Sequence, residues 1–233
     1  MVNYQEAFEK PFSDIKKLLI GILLSIVPII SFFAKGFILE SSGAGKTKPG
    51  KKMPEWRSFG KLFLKGLAMF AITIIYFIPA VVVFIFGAGT AILNVLSAIP
   101  IEEITEAGTE KAMNDVILPA IQAALPSLTT IIPMIVLSLV LALLSSYIIP
   151  MAAISYLKDN NFASSLKLKR IFKKSFTGKY FVVWIVMVLV SMILTSLLNI
   201  IPIVGLPAAS FIAGIISYSL FGQVYLETEK TKK

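Results

Sequence analysis

Residues 181–200 read FVVWIVMVLVSMILTSLLNI, twenty positions without a charge. As a helix rising 1.5 Å per residue, that stretch covers about 30 Å, the thickness of a bilayer's hydrocarbon core. Gly66–Phe86, Ile131–Leu157 and Ala208–Leu226 are similarly long and uncharged. Outside these four runs the charge is sorted by sign. Glu40–Lys65 holds seven Lys and Arg against Glu40 and Glu55, a net of +5. Leu157–Lys179 holds seven against Asp159, a net of +6. Between them, Ile99–Pro126 holds Glu102, Glu103, Glu106, Glu110 and Asp115 against Lys111, a net of −4. Lysine and arginine are retained on the cytoplasmic side of a membrane. The pattern therefore predicts an all-α, polytopic integral membrane bundle. Both basic segments and both termini are expected in the cytoplasm, and the acidic segment outside a cell membrane.

Composition supports that class and narrows the chemistry. The chain is 57% hydrophobic, with a mean hydropathy of +0.86, against roughly 45–50% apolar residues in soluble domains. A pI near 9.6 would suggest nucleic acid in a soluble protein. Here the excess charge flanks the spans, so anionic lipid headgroups are the expected partner and nucleic acid is not. There is no cysteine and no histidine, which removes thiolate chemistry together with the commonest general base and metal ligand. Every carboxylate lies at a membrane boundary or beyond it. Glu102-Glu103 is the one paired candidate for acid/base work, yet adjacent helical residues point about 100° apart. The acidic segment lacks the Asp-x-Asp spacing of a calcium loop and reads as a solvated cap, with a weak divalent-cation site as the sharper alternative. No enzyme activity, cofactor or metal centre is expected, and no cleaved signal peptide precedes the first apolar run.

Read in order, residues 1–39 form an interfacial helix and an apolar hairpin. Residues 40–65 form a basic cytoplasmic loop, 66–98 a span, 99–127 the acidic external segment and 128–157 a span. Residues 158–179 form a basic surface helix, 180–226 two spans joined by a tight turn, and 227–233 a cytoplasmic tail. Within the first element Pro11 should end or restart a short helix. Leu18–Leu39 is long enough for one span, but Pro28 sits near its middle and basic residues flank both ends. Two short arms that return to the cytoplasm satisfy those flanks, so the hairpin is favoured over a single span. Apolar character persists past Phe86, and Gly87-Ala88-Gly89 is the expected bend. Gly43-Ala44-Gly45-Lys46-Thr47 looks like the end of a phosphate-binding loop. It lacks the preceding buried strand and following helix, so no nucleotide site is expected.

Tyr76-Phe77-Ile78-Pro79 and Tyr147-Ile148-Ile149-Pro150 share a proline inside a span. Such a proline frees a carbonyl one turn back, which shapes a packed helix or lines a transport cavity. Thr73, Ser138 and Ser191 are expected to satisfy carbonyls of their own helices. Trp56 is read as a headgroup-level anchor. Asp159-Asn160-Asn161 offers an N-cap to the basic helix and Gly178 a stop. Phe162, Leu166, Phe172 and Phe176 share one of its faces. Lys167, Lys169, Arg170, Lys173 and Lys174 are then the candidate contacts to anionic lipid. Ser25–Ile30 and Asn199–Val204 are similar Pro-centred turns. Ala208, Ala209, Ala213, Gly214 and Ser217 suit close helix packing.

Several of these pieces together resemble a prokaryotic, mostly archaeal, family of polytopic membrane proteins catalogued as domain of unknown function 4013. The resemblance rests on Tyr4, Ala7-Phe8, Pro11-Phe12, Asp14, Ile20-Gly21 and Val27-Pro28. It continues through Pro54-Glu55-Trp56, Phe63, Gly66-Leu67, Pro150, Ala153, Tyr156, Phe162-Ala163 and Leu166, then Pro202-Ile203-Val204-Gly205 and Gly222-Gln223-Val224-Tyr225. Pro-Glu-Trp is its most specific part, and Lys35 stands where an uncharged residue is expected. The family carries no established activity, so no site transfers. A more distant similarity to membrane domains beside glycerophosphodiester phosphodiesterases points by analogy to lipid-related work. The expected function is a non-catalytic membrane component contacting lipid or a partner membrane protein, with a transporter or channel for a small or amphipathic substrate as the alternative.

Overall fold

In a computed structural model, the protein is described over residues 2–45, 50, 52–98, 114, 117–119, 122 and 131–230. Helices start where a side-chain oxygen can accept the first free amides. Asn3 accepts from Glu6 N and opens α1 (Tyr4–Glu9), and Pro11 then forces a 3-10 turn over Lys10–Ser13. Asp14 accepts from Lys17 N and opens α2 (Ile15–Ile26). Val27 leaves the helix at φ −95°, ψ 123°, because a residue before proline is pushed out of the α region. Ser31 N donates to Val27 O at 2.7 Å, and the chain reverses into α3 (Ser31–Ser41). Pro28 therefore makes a hairpin, not one span.

The long helices are α4 (Phe59–Ala98), α5 (Ile131–Asp159), α7 (Gly178–Leu198) and α8 (Gly205–Lys230). All four are long and apolar enough to cross a membrane. The short α6 (Leu168–Ser175) lies between α5 and α7. No strand occurs among the described residues. The chain forms two compact units, Met1–Ile75 with Ser146–Lys233, and Tyr76–Ser145.

In the first unit α8 is the central element. Its span is 72% buried, against 11% for the spans of α4 and α7, although it is the least apolar of the four. Small residues explain this, because they let helices approach where lipid gives no hydrophobic drive. Ala208, Ala209 and Ala213 are buried, and Gly214 faces Ile38 of α3. The 3-10 turn and helices α1, α2, α3 and α7 all pack on α8. Trp184 apart, the aromatic core centres on Phe37, Tyr180, Phe211 and Tyr225, which are fully buried. Outward-facing Phe181, Val182, Leu189, Met192, Ile193 and Leu197 of α7 form an apolar surface suited to acyl chains.

The hairpin is held against α4 by backbone contact. A Cβ at Gly36 would stand 1.9 Å from Leu62 O, and one at Gly66 would stand 1.8 Å from Phe32 O. Phe32 and Phe33 then interleave with Phe59, Phe63 and Phe70. In the second unit α4 and α5 run antiparallel. Ser138 Oγ donates to Ala80 O at 2.9 Å, and Ser145 Oγ lies 2.6 Å from Tyr76 O and 2.8 Å from Leu141 O. Ser138 thus reaches the neighbouring helix and not its own, contrary to expectation. Thr73 does bond its own helix, at Met69 O.

Three further differences have local causes. The helix α4 continues through Gly87-Ala88-Gly89 without a break. Gly87 serves packing there, since a Cβ would stand 2.7 Å from Met134 Cβ. The basic surface segment is not one helix. Asn161 caps a 3-10 turn at Phe162–Leu166, and α6 follows as a separate element. Gly178 opens α7, capped by Thr177, and does not end the surface helix.

Candidate functional site

The residue that caps α1 meets α8 within the first unit. Asn3 N donates to Gln223 Oε1 at 2.7 Å, and Gln223 Nε2 donates back to Asn3 O at 3.5 Å. Basic residues gather around the C-terminal turns of α8 near this junction. Arg170 pairs with Asp159, and its Nη2 donates to Tyr225 Oη at 2.8 Å and to Glu229 Oε1 at 3.2 Å. Asp159's hydrogen bond is the main reason that Arg170 holds its proton above its ordinary range. Lys174 is buried. Its Nζ donates to Tyr225 O and Glu229 Oε1, both at 3.2 Å, and sits 3.2 Å above the Tyr225 ring. Lys179 pairs with Glu227 at 3.2 Å.

The five lysines and arginines expected to contact lipid therefore divide. Arg170 and Lys174 turn inward and tie α6 to α8. Lys167, Lys169 and Lys173 stay exposed, beside exposed Leu166, Leu168, Phe172 and Phe176. The last two rings stack at 5.4 Å. The surface is thus charged and apolar side by side, the composition that lies at a headgroup boundary. Glu227 and Glu229 went unassigned in the sequence reading, where they began a tail. Two carboxylates ending an apolar helix in a chain with a +6 segment were the available signal.

Near each span proline, a carbonyl accepts from a hydroxyl of a neighbouring helix. Three residues before Pro79, Tyr76 O accepts from Ser145; three before Pro150, Tyr147 O accepts from Tyr180 Oη. Tyr147 Oη in turn donates to Ser175 O at 2.7 Å. Such interhelical bonds tie each proline region to the helix beside it.

The Pro54-Glu55-Trp56 motif acts as a latch. Trp56 stacks on Phe37 at 4.1 Å and, more distantly, on Phe211, and its Nε1 donates to Lys17 O at 3.2 Å. The ring is half-buried and joins the loop to the bundle. Glu55 pairs with Lys17 at 2.7 Å, and that hydrogen bond lowers the Glu55 carboxyl below its usual range. The Lys17 backbone amide does the same for Asp14.

Lys10 is the buried cation at the N-terminal end. Its Nζ donates to Ser41 O at 2.8 Å and Ser219 Oγ at 3.4 Å. Burial lowers its pKa from 10.5 to about 8, with Glu6 opposing. Below pH 8 folded and unfolded chains both carry this proton, and the cost of burying it is fully present. Between about pH 8 and 10.5 the unfolded chain binds more protons, so stability rises with pH. Thermal unfolding in detergent is expected to show that rise, and Lys10→Met to flatten it.

Among the described residues, no three His, Cys, Asp or Glu side chains gather as a metal set would. Lys46 and Thr47 of the phosphate-loop-like stretch, and the carboxylates of the acidic segment, Glu102-Glu103 included, lie outside the described residues. Compared with known proteins, residues 19–203 match the profile of a family described as protein of unknown function (DUF4013). No curated protein and no solved structure matches the chain.

Proposed function

Since the chain belongs to the DUF4013 family, whose function is unknown, we propose a role read from its own surface: a non-catalytic membrane component that contacts anionic lipid. The contact is made by Lys167, Lys169 and Lys173, with Leu166, Leu168, Phe172 and Phe176 reaching below the headgroups. One observation carries this reading. These exposed lysines and apolar side chains share one short segment at the end of two spans, while their neighbours Arg170 and Lys174 are spent on internal pairs. On this reading both termini and the basic face are cytoplasmic, and nucleic acid is not a partner. Each basic residue near an anionic surface contributes about 1 kcal/mol.

The test is the preference of the reconstituted protein for phosphatidylglycerol over phosphatidylcholine, read from energy transfer to labelled lipid at low salt. Lys167→Gln/Lys169→Gln/Lys173→Gln is expected to reduce that preference about tenfold or more, with the thermal midpoint unchanged. Arg170→Gln/Lys174→Gln is expected to lower the midpoint instead. An unchanged lipid preference in the triple variant would mean that this face serves topology alone. The second reading, a transporter for a small or amphipathic substrate, needs the Pro79 and Pro150 kinks to open. The hydroxyls that occupy Tyr76 O and Tyr147 O favour fixed shape over that movement.

A further inference from the structure

A cation stands inside the first unit well away from the basic face. Lys35 lies midway along α3, and with Ser25, Ser31, Ile38, Ser210 and Phe211 it lines a pocket of about 290 Å³ between the hairpin and the start of α8. Its level in the span follows from helix contacts. Gly21 abuts Phe211 and Gly214 abuts Ile38, so Lys35 is beside the second turn of α8, about 8 Å in from its first residue. A lysine set among apolar helices is costly unless something answers its charge. The protein supplies two aromatic faces: Lys35 Nζ sits 5.0 Å from the Phe32 centroid and 5.3 Å from that of Phe70. Among the described residues no carboxylate pairs with it.

The other polar groups of the pocket do not answer the charge either. Ser25 and Ser31 donate to the carbonyls of Gly21 and Pro28, each within its own helix turn. The start of α8, which also lines the pocket, presents the positive end of a long helix dipole. The pocket therefore gathers positive potential, the hydroxyl oxygens of Ser25, Ser31 and Ser210, and apolar walls. Its volume falls at the small end of ligand pockets. It admits a head but not the chains of a lipid.

We propose that this pocket binds an amphiphile with an anionic oxygen head, a phosphate or a carboxylate, with Lys35 as its counter-ion and the apolar chain running out along the bundle. The site is separate from the cytoplasmic lysines and does not depend on them. The experiment is native mass spectrometry of the delipidated full chain, titrated in turn with phosphatidylglycerol, phosphatidylcholine and palmitate. One equivalent of an anionic amphiphile is expected on the wild-type chain and on Lys35→Arg, with affinity reduced about tenfold or more in Lys35→Gln. Lys167→Gln/Lys169→Gln/Lys173→Gln is expected to keep that equivalent, which separates this site from the surface contact. Phosphatidylglycerol as the tighter ligand assigns a phosphate head, and palmitate a carboxylate. A thermal-shift readout adds a check on folding, since the anionic ligand should raise the midpoint of wild type and Lys35→Arg only. Binding of phosphatidylcholine equal to that of phosphatidylglycerol and palmitate, or undiminished anionic binding by Lys35→Gln, would overturn the proposal.

Discussion

Gly66→Ala and Gly36→Ala are each expected to lower the stability of the protein by about 3 kcal/mol. The added methyl of either would fall within 2 Å of a backbone oxygen, at Phe32 and Leu62 respectively. A carbonyl on a hydrogen-bonded helix cannot rotate aside as a flexible side chain does, so α3 and α4 must separate. Separation by even 1 Å forfeits a large part of the dispersion contacts made by Phe32, Phe33, Phe59 and Phe63. The two substitutions strike one interface, so the double variant should cost less than the two costs combined. Gly60→Ala is the control. It lies in the first turn of the same helix with nothing within 4 Å of its Cβ, and the gain in helix propensity should leave stability unchanged or raised by up to about 1 kcal/mol. Thermal unfolding in one detergent at one scan rate gives the ranking. A Gly66→Ala midpoint equal to that of Gly60→Ala would refute the close contact.

Trp56→Ala carries the second large effect, also about 3 kcal/mol. The indole packs on Phe37 of α3, Phe59 of α4 and Phe211 of α8, and it bonds the backbone at Lys17 of α2. Removing it opens a cavity where four helices meet. Trp56→Phe keeps a ring but loses the N–H bond, at about 1 kcal/mol. Glu55→Gln, its neighbour in the same motif, breaks an exposed pair and should cost close to nothing. Limited proteolysis in the preceding basic loop, alongside the thermal midpoint, distinguishes a loosened latch from general unfolding. Equal effects for Trp56→Ala and Glu55→Gln would show that the motif works through charge.

These two sites mark where the sequence was legible and where it was not. Pro28 was readable because its effect is local: it denies Val27 the helical conformation whatever surrounds it. The four long apolar helices were readable because about 20 uncharged residues match the hydrocarbon thickness of a bilayer. The packing role of Trp56 was not readable, because its partners Phe37 and Phe211 are distant in sequence. Gly87 was misread as a bend for a related reason. A glycine weakens a helix by about 1 kcal/mol, too little to break one whose neighbour packs against the bare backbone. Arg170 and Lys174 look identical to Lys169 and Lys173 in composition. Their inward turn depends on Tyr225 and Glu229, which belong to the last helix. The pocket at Lys35 was half legible: the charge stood out as unexpected, but its second wall comes from α8.

The central place of α8 has a consequence for biogenesis. The hairpin is made before the helix that buries it; Gly21 waits for Phe211, Ile38 for Gly214, and Asn3 for Gln223. During synthesis the early arms, with Lys35 among them, enter the bilayer without the partner that shelters them. Contacts this far apart in sequence form slowly and leave intermediates exposed. A ribosome that stalls before α8 leaves a membrane-inserted chain whose glycine-lined grooves and lone cation are uncovered. Packing of the first unit is therefore completed only when α8 is in place.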